Sequence, residues 1–119
     1  TSHLSFFFVY GLPVPRLTAK DAAFAPIVTR AARLICTTPE FDGLRKDLEG
    51  FLNLRGLKGV TDAVARAKLR AELDGLVAHL YGLTESEFTH ILGAFPLVPD
   101  PAKVAAQNVY RDVERGLIK

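Results

Sequence analysis

The sequence predicts an all-α fold, a small bundle of four to five helices with an extended N-terminal arm. Three observations carry this prediction. Apolar residues recur at steps of three and four in several stretches, which is the spacing of one face of an α-helix. Capping residues and glycines stand at the ends of those stretches, and prolines separate them. The 119 residues suffice for one domain with a core, and we assign residues 1–17 to the arm and 18–119 to the helical domain.

The predicted arm is rich in aromatic residues and proline. Ser5–Tyr10 is β-prone, and it is either a short strand that pairs with sequence outside the chain or an apolar segment docked on the core. Pro13 and Pro15 then exclude regular helix and favour an extended path. No apolar run approaches the roughly 20 residues that a membrane helix needs, so we expect no membrane contact.

Two helices are predicted in the first half of the helical domain. Asp21 is a candidate N-cap for a helix that runs to about Cys36. Thr38 is a candidate cap for a short second helix, with Pro39 at its first position, where proline is tolerated. Glycines punctuate the following stretch, Asn53–Val60, which we expect to be a loop.

The sequence pattern in the centre of the chain predicts two helices joined by a tight turn. Thr61 is a candidate cap for a helix over about Asp62–Tyr81, whose apolar face combines Leu69, Leu73, Leu76, Val77, Leu80 and Leu83. Gly82 favours a helix end. Thr84 and Glu87 have the spacing of a capping box, which predicts a second helix over about Glu85–Ala94.

Prolines end that second helix and start the last one. Pro96, Pro99 and Pro101 follow it at short intervals and force an irregular turn. Pro101 is suited to the start of a final helix over about Ala102–Arg115, because the first turn of a helix tolerates proline.

The charge balance neither demands nor excludes nucleic acid. Fifteen basic residues stand against 13 acidic ones, for a net charge of +2, and a DNA-binding domain is usually more basic. The basic residues are concentrated before and within the central helix, with Asp62 the only acidic residue among them. They form either a solvated helix face or contacts to DNA phosphates, and the candidates for DNA-backbone contact are Arg55, Lys58, Arg66, Lys68 and Arg70.

The residues that could carry chemistry do not form a catalytic or metal-binding pattern. Glu87 and His90 have the spacing of half a carboxylate–histidine metal site, but no second copy exists, so we predict no metal. Cys36, the only cysteine, is expected to be a buried, inert thiol in an intracellular protein. We expect His79 at the boundary of the core, and Tyr81 either closes the core or stacks on a base.

Two segments together resemble a known family. Leu73-Asp74, Val77, Leu80–Thr84 and Glu87 resemble a pattern at the C-terminal ends of DNA adenine methyltransferases from restriction–modification and phage-defence systems, including type IIG enzymes. Upstream, Phe6–Phe8 and Leu12–Pro15 are similar to a segment that leads out of the target-recognition region in that family. The order and spacing of both features agree with the family pattern.

The resemblance implies a non-catalytic role for this chain. The family methylates adenine with S-adenosylmethionine, and an Asn-Pro-Pro-aromatic motif holds the flipped base; the chain contains no such motif and no Asp…Glu-x-Lys nuclease site. S-adenosylmethionine is therefore implied for a parent protein, with or without a nuclease, and no cofactor for this chain. The chain would brace the target-recognition region, with the rest of the parent and duplex DNA as its partners.

Two further expectations concern the origin of the chain and its alternative function. The sequence contains no methionine, so we expect a piece excised from a longer cytoplasmic protein. The alternative function is a protein–protein interaction module or homo-oligomerisation domain, in which the apolar segment Phe6–Tyr10 docks a partner or a second copy.

Overall fold

The protein folds into five α-helices over the part of the chain that the structure, a computed structural model, describes: Thr18 and residues 20–118. These residues contain no strand, so the prediction of an all-α fold is confirmed. The predicted arm, residues 1–17, lies outside the described residues. The helices are α1 (Phe24–Ile35), α2 (Asp42–Leu52), α3 (Ala63–Leu80), α4 (Glu85–Gly93) and α5 (Asp100–Glu114), and a 3-10 turn, Pro39–Phe41, precedes α2.

Helix α3 lies at the centre of this arrangement. It packs against α5 on one side and against α1 on the other, while α4 packs against α5 and α2 against α1. Burial on two sides explains why the buried positions of α3 do not form a single stripe; they are Leu69, Ala71, Gly75, Leu76 and Ala78.

The contact between α3 and α5 is made by small residues. Ala78 and Ala106 are both 0 % exposed. A Cβ atom on Gly75 would lie 2.5 Å from Val109 Cγ1 and 3.0 Å from the backbone N of Tyr110. The two backbones approach this closely because Gly75 has no side chain.

The predicted apolar face of α3 is confirmed only in part. Leu69, Leu76 and the following Leu83 are buried, whereas Leu73, Val77 and Leu80 are half-buried. The reason is that the closest neighbour, α5, meets the side of α3 that carries alanine and glycine. Those residues are weak markers of a buried face, because they contribute little apolar surface of their own.

The corner between α3 and α4 has the predicted geometry. Gly82 adopts the left-handed conformation, with φ +71°, which costs glycine little. The Thr84 hydroxyl accepts a hydrogen bond from the Glu87 backbone N (3.1 Å), and the Glu87 carboxylate accepts one from the Thr84 backbone N (2.9 Å). The predicted capping box is therefore present, and α4 begins at Glu85 as expected.

Two other predicted caps are wrong. Asp62, not Thr61, caps α3, because its carboxylate accepts from the Ala65 backbone N at 2.9 Å and α3 starts one residue later than predicted. Asp21 does not cap α1. Its carboxylate instead accepts from the backbone N (2.7 Å) and hydroxyl (3.2 Å) of Thr18, and this turn delays the helix start to Phe24.

The remaining boundaries lie within a few residues of the predictions. Thr38 is the N-cap residue of the 3-10 turn, and Pro39 is the first residue of that turn. The Thr38 hydroxyl, however, donates to the Glu40 carboxylate (3.0 Å) and makes no hydrogen bond to the backbone of the turn. Pro101 lies in the first turn of α5, which begins at Asp100. Among the described residues, no helix combines the length and the apolar composition that crossing a bilayer requires.

Candidate functional site

The loop between α2 and α3 carries two of the five basic residues predicted to contact DNA. Leu57 anchors this loop, because its side chain is buried in a cluster with Ala32 and Cys36. Arg55 and Lys58 stand on either side of this anchor, and both are exposed. The anchored loop therefore presents two positive charges to solvent from a fixed backbone.

The second half of the loop is bonded to the C-terminal end of α1. The Val60 backbone N donates to the carbonyl of Arg33 at 2.7 Å. A Cβ atom at Gly59 would overlap the carbonyl of Cys36, so the loop runs against α1 with no space for a side chain there. Arg33 is exposed on the same last turn of α1.

Arg66 holds this junction together from α3. Its Nη1 donates to the carbonyl of Leu34 (3.0 Å) and to that of Val60 (2.7 Å). Carbonyls in the last turn of a helix lack partners within the helix, and a cation there also interacts favourably with the helix dipole. The structure thus gives Arg66 a packing role, with its side chain half-buried.

The last two basic candidates lie on different sides of α3. Lys68 and Arg70 are both exposed, but residues two positions apart on an α-helix differ by about 200° around the axis. The five candidates therefore do not form one face. Three of them belong to the loop or bond it, and Arg33, which was not predicted from the sequence, lies in the turn of α1 that the loop bonds. We call this set the junction patch: Arg33, Arg55, Lys58 and Arg66.

Arg33 escaped prediction because the patch is assembled by tertiary contacts. Arg33 lies on α1, far along the chain from the basic stretch that begins at Arg55. The hydrogen bond from Val60 N to the Arg33 carbonyl and the packing of Leu57 on Ala32 and Cys36 bring the loop to α1. One sequence feature could have pointed to Arg33: it is a basic residue in the last turn of a predicted helix, where a cation interacts favourably with the helix dipole.

His79 is a structural histidine, in agreement with its predicted place at the core boundary. Its Nε2 lies 2.8 Å from the carbonyl oxygen of Tyr110, and because a carbonyl only accepts, Nε2 carries the proton. The imidazole also stacks on the Tyr110 ring, with centroids 4.1 Å apart. Both ring contacts therefore hold α3 against α5.

Tyr110 completes this contact from α5. Its hydroxyl donates to the carbonyl of Leu83 at 2.7 Å, which ties α5 to the corner between α3 and α4. Burial raises the pKa of Tyr110, and the nearby carboxylates of Glu114, Glu85 and Glu87 raise it further. The phenol is thus kept in its neutral, hydrogen-bonding form.

Tyr81 packs against the same apolar cluster. Its side chain is half-buried, and burial raises the pKa of its hydroxyl. This placement agrees with the prediction that Tyr81 closes the core.

The described residues contain no group of three or more His, Cys, Asp or Glu side chains placed to hold a metal ion. The Glu87 carboxylate is used in the cap of α4, and Cys36 is buried. The chain matches no protein-family model, no curated protein and no solved structure.

Proposed function

We propose that this chain is a non-catalytic helical domain from the C-terminal region of a DNA adenine methyltransferase of a restriction–modification or related phage-defence system. In this role it braces the target-recognition region of the parent protein and contacts the DNA backbone. One observation carries the proposal: Leu80–Thr84 and Glu87, which form the C-terminal part of the resemblance, build the corner between α3 and α4. A motif made of structural residues suits a domain that supports a site without taking part in its chemistry.

The corner is rigid because several independent contacts hold it. Leu83 is buried, its backbone N donates to the carbonyl of Ala78 (3.0 Å), and its own carbonyl accepts from the Tyr110 hydroxyl. The capping box on Thr84 fixes the start of α4 immediately afterwards. These contacts restrict movement of α4 and α5 relative to α3, which suits a brace.

The proposed DNA contacts come from the exposed members of the basic set. Arg33, Arg55 and Lys58 are the exposed members of the junction patch. Lys68 and Arg70 remain candidates on α3, but they lie on different sides of that helix and do not both belong to the same surface. Cations on an anchored loop position a protein on phosphates without selecting a sequence. Arg66 serves this surface indirectly, since it fixes the loop to α1.

The DNA part of the proposal is tested by binding of the complete chain to a short labelled duplex over a range of salt concentrations. We expect the logarithm of the association constant to fall linearly with the logarithm of the salt concentration. A double variant, Arg55→Ala with Lys58→Ala, should reduce the slope by about 0.9 for each phosphate that it no longer neutralises. Arg115→Ala is the matched control, because it removes a charge from an exposed position outside the patch. Absence of binding at low salt would remove the DNA contact and leave only the bracing role.

The family part of the proposal is tested by the gene sequence upstream of Thr1. We expect an Asn-Pro-Pro-aromatic motif and a glycine-containing S-adenosylmethionine motif in the same reading frame. A reading frame that carries neither motif would withdraw the assignment to a methyltransferase.

The second candidate function is an interaction or homo-oligomerisation module. It is favoured by apolar side chains on the surface, of which Phe51 is 66 % and Leu97 95 % exposed. Solution mass, measured by light scattering with and without residues 1–12, separates the two candidates. A chain that is monomeric in both forms would count against self-association.

A further inference from the structure

Helices α1 and α2 present an apolar surface that the described part of the chain leaves open. No residue of α2 is buried, and Ala32 is the only buried residue of α1. Yet both helices are amphipathic, and such a helix normally buries its apolar stripe. The surface, which we call the α1–α2 face, consists of Phe24, Ile35, Leu44 and Phe51.

The four side chains form two adjoining stripes. Leu44 and Phe51 are seven residues apart on α2, and Phe24 and Ile35 are eleven apart on α1, so each pair lies on one side of its helix. The rings of Phe24 and Phe51 meet with centroids 5.8 Å apart, which joins the stripes. Exposed apolar side chains grouped on two neighbouring helices indicate an occupant.

We propose that the occupant is the segment Leu4–Tyr10 of the same chain. Its sequence, Leu-Ser-Phe-Phe-Phe-Val-Tyr, contains six apolar or aromatic residues and no charge. It matches the chemistry of the face, because burial of three phenylalanines against aliphatic and aromatic side chains removes a large apolar area from water.

The point of attachment favours this occupant. The described chain begins at Thr18, whose turn with Asp21 leads directly into α1. The segment is therefore tethered beside Phe24, at one end of the face. Residues 11–17 reach at most about 25 Å when extended, whereas the 12 residues of α1 extend only about 18 Å. Every part of the face lies within reach.

The tether also favours an intramolecular contact over a second copy. A connection of this length gives an effective concentration on the order of millimolar. At micromolar protein the attached segment therefore occupies the face before a segment from another molecule does.

Hydrogen exchange of the complete chain tests the proposal. We compare the wild type with a triple variant, Phe6→Ser, Phe7→Ser and Phe8→Ser. The amides of α2 should exchange at least about tenfold faster in the variant, a change of about 1.4 kcal/mol that is less than the burial of one phenylalanine contributes. The amides of α4 and α5 should be unchanged, which shows that the variant is folded. Unchanged exchange in α2 would overturn the proposal.

A double-mutant cycle tests the contact itself. Phe51→Ser should increase exchange in α2 by a larger factor in the wild type than in the triple variant, because in the triple variant only the contact of Phe51 with Phe24 remains to be lost. Leu97→Ser is the matched control, since Leu97 is an exposed apolar residue outside the face, and it should leave α2 unchanged in both backgrounds. Independent, additive effects of the two sets of substitutions would overturn the proposal.

Solution mass shows whether the segment on the α1–α2 face comes from the same chain or from a second copy. The wild type and the triple variant should both be monomers at the concentration used for exchange. A wild-type dimer that the triple variant cannot form would assign the segment to a second copy and overturn the intramolecular contact.

Discussion

The two halves of this molecule differ in the size of their buried apolar clusters. In the C-terminal half, α4 and α5 close over α3 with a core of Ala78, Leu83, Phe88, Leu92, Ala106 and Tyr110, each at most 7 % exposed. In the N-terminal half, α1 and α2 share a smaller buried cluster of Ala32, Cys36 and Leu57. Polar links supplement that cluster, namely an ion pair between Arg30 and Glu72 (3.3 Å) and the bonds of Arg66 to two carbonyls.

This difference predicts which half contributes more to the free energy of unfolding and which half opens locally more readily. Close apolar packing contributes most to the free energy of unfolding, and its loss is costly at any point. A half that depends on fewer apolar contacts opens locally at lower free energy and can adjust to a partner. The proposed junction patch and the α1–α2 face both lie in that second half.

The largest expected effect comes from matched truncations in the two halves. Leu92→Ala should lower the free energy of unfolding by about 3 kcal/mol, because Leu92 is 4 % exposed in the C-terminal core. Leu48→Ala on α2 should cost about 1 kcal/mol, since Leu48 is only half-buried. Denaturation in urea measures both, and equal costs would remove the distinction between the halves.

Glycine substitutions should have opposite signs in the two halves. Gly75→Ala places a methyl group against Val109 and the backbone of Tyr110, and we expect it to destabilise by about 1–3 kcal/mol. Gly50→Ala in α2 meets nothing within 4 Å and should stabilise by about 0.5 kcal/mol, because alanine favours the helix. Thermal unfolding measures the two shifts. A stabilising Gly75→Ala would show that α5 can move away from α3.

Tyr110→Phe should cost about 1 kcal/mol, because it removes the hydroxyl that donates to the Leu83 carbonyl. It should also change the alkaline stability. The folded pKa of Tyr110 is raised above its unfolded value, so above pH 10 the folded state binds more protons than the unfolded state. The contribution of Tyr110 to the free energy of unfolding is therefore fully present below pH 10, and it is lost as the pH rises through the raised pKa of the folded state.

The alkaline loss should be smaller in Tyr110→Phe than in the wild type. Tyr81, whose pKa is also raised, continues to contribute, so we expect part of the loss to remain. Urea denaturation from pH 8 to pH 11 measures the difference. The same pH dependence in both proteins would contradict the assignment to Tyr110.

The smallest expected effect concerns two threonines at helix starts. Thr84→Ala removes the hydroxyl that caps α4 and should cost about 1 kcal/mol. Thr38→Ala should stay within about 0.5 kcal/mol, because its hydroxyl makes no cap bond. A comparable loss in both variants would indicate that the Thr38–Glu40 contact is worth more than its exposed geometry suggests.

Sequence predicted the local features of this fold better than its contacts. Thr84 and Glu87 were predictable because each bonds to backbone only three residues away. The tight contact at Gly75 was not, since it depends on Val109 and Tyr110 in α5, which are 34 and 35 residues further along the chain. Asp21 was misassigned because a turn with Thr18 competes for its carboxylate.

The candidate site illustrates the same limit. Exposed basic residues on a glycine-punctuated loop, such as Arg55 and Lys58, follow from composition. The partners of Arg66 are the carbonyls of Leu34 and Val60, and the first of these lies on another helix. Whether a cation faces solvent or bonds the backbone is decided by that tertiary contact, which no local pattern encodes.

Reaction of the Cys36 thiol can be used to measure local opening of the N-terminal half. It is the only cysteine, it is buried beside Leu57, and the loop at Gly59 passes over its carbonyl. Because Cys36 is only 8 % exposed, we expect a thiol reagent to react faster when the loop and α1 separate. The rate of labelling therefore follows the opening of the N-terminal half and leaves the C-terminal core out of the measurement. Any ligand or segment that binds the junction patch or the α1–α2 face should be detectable as protection of this one thiol.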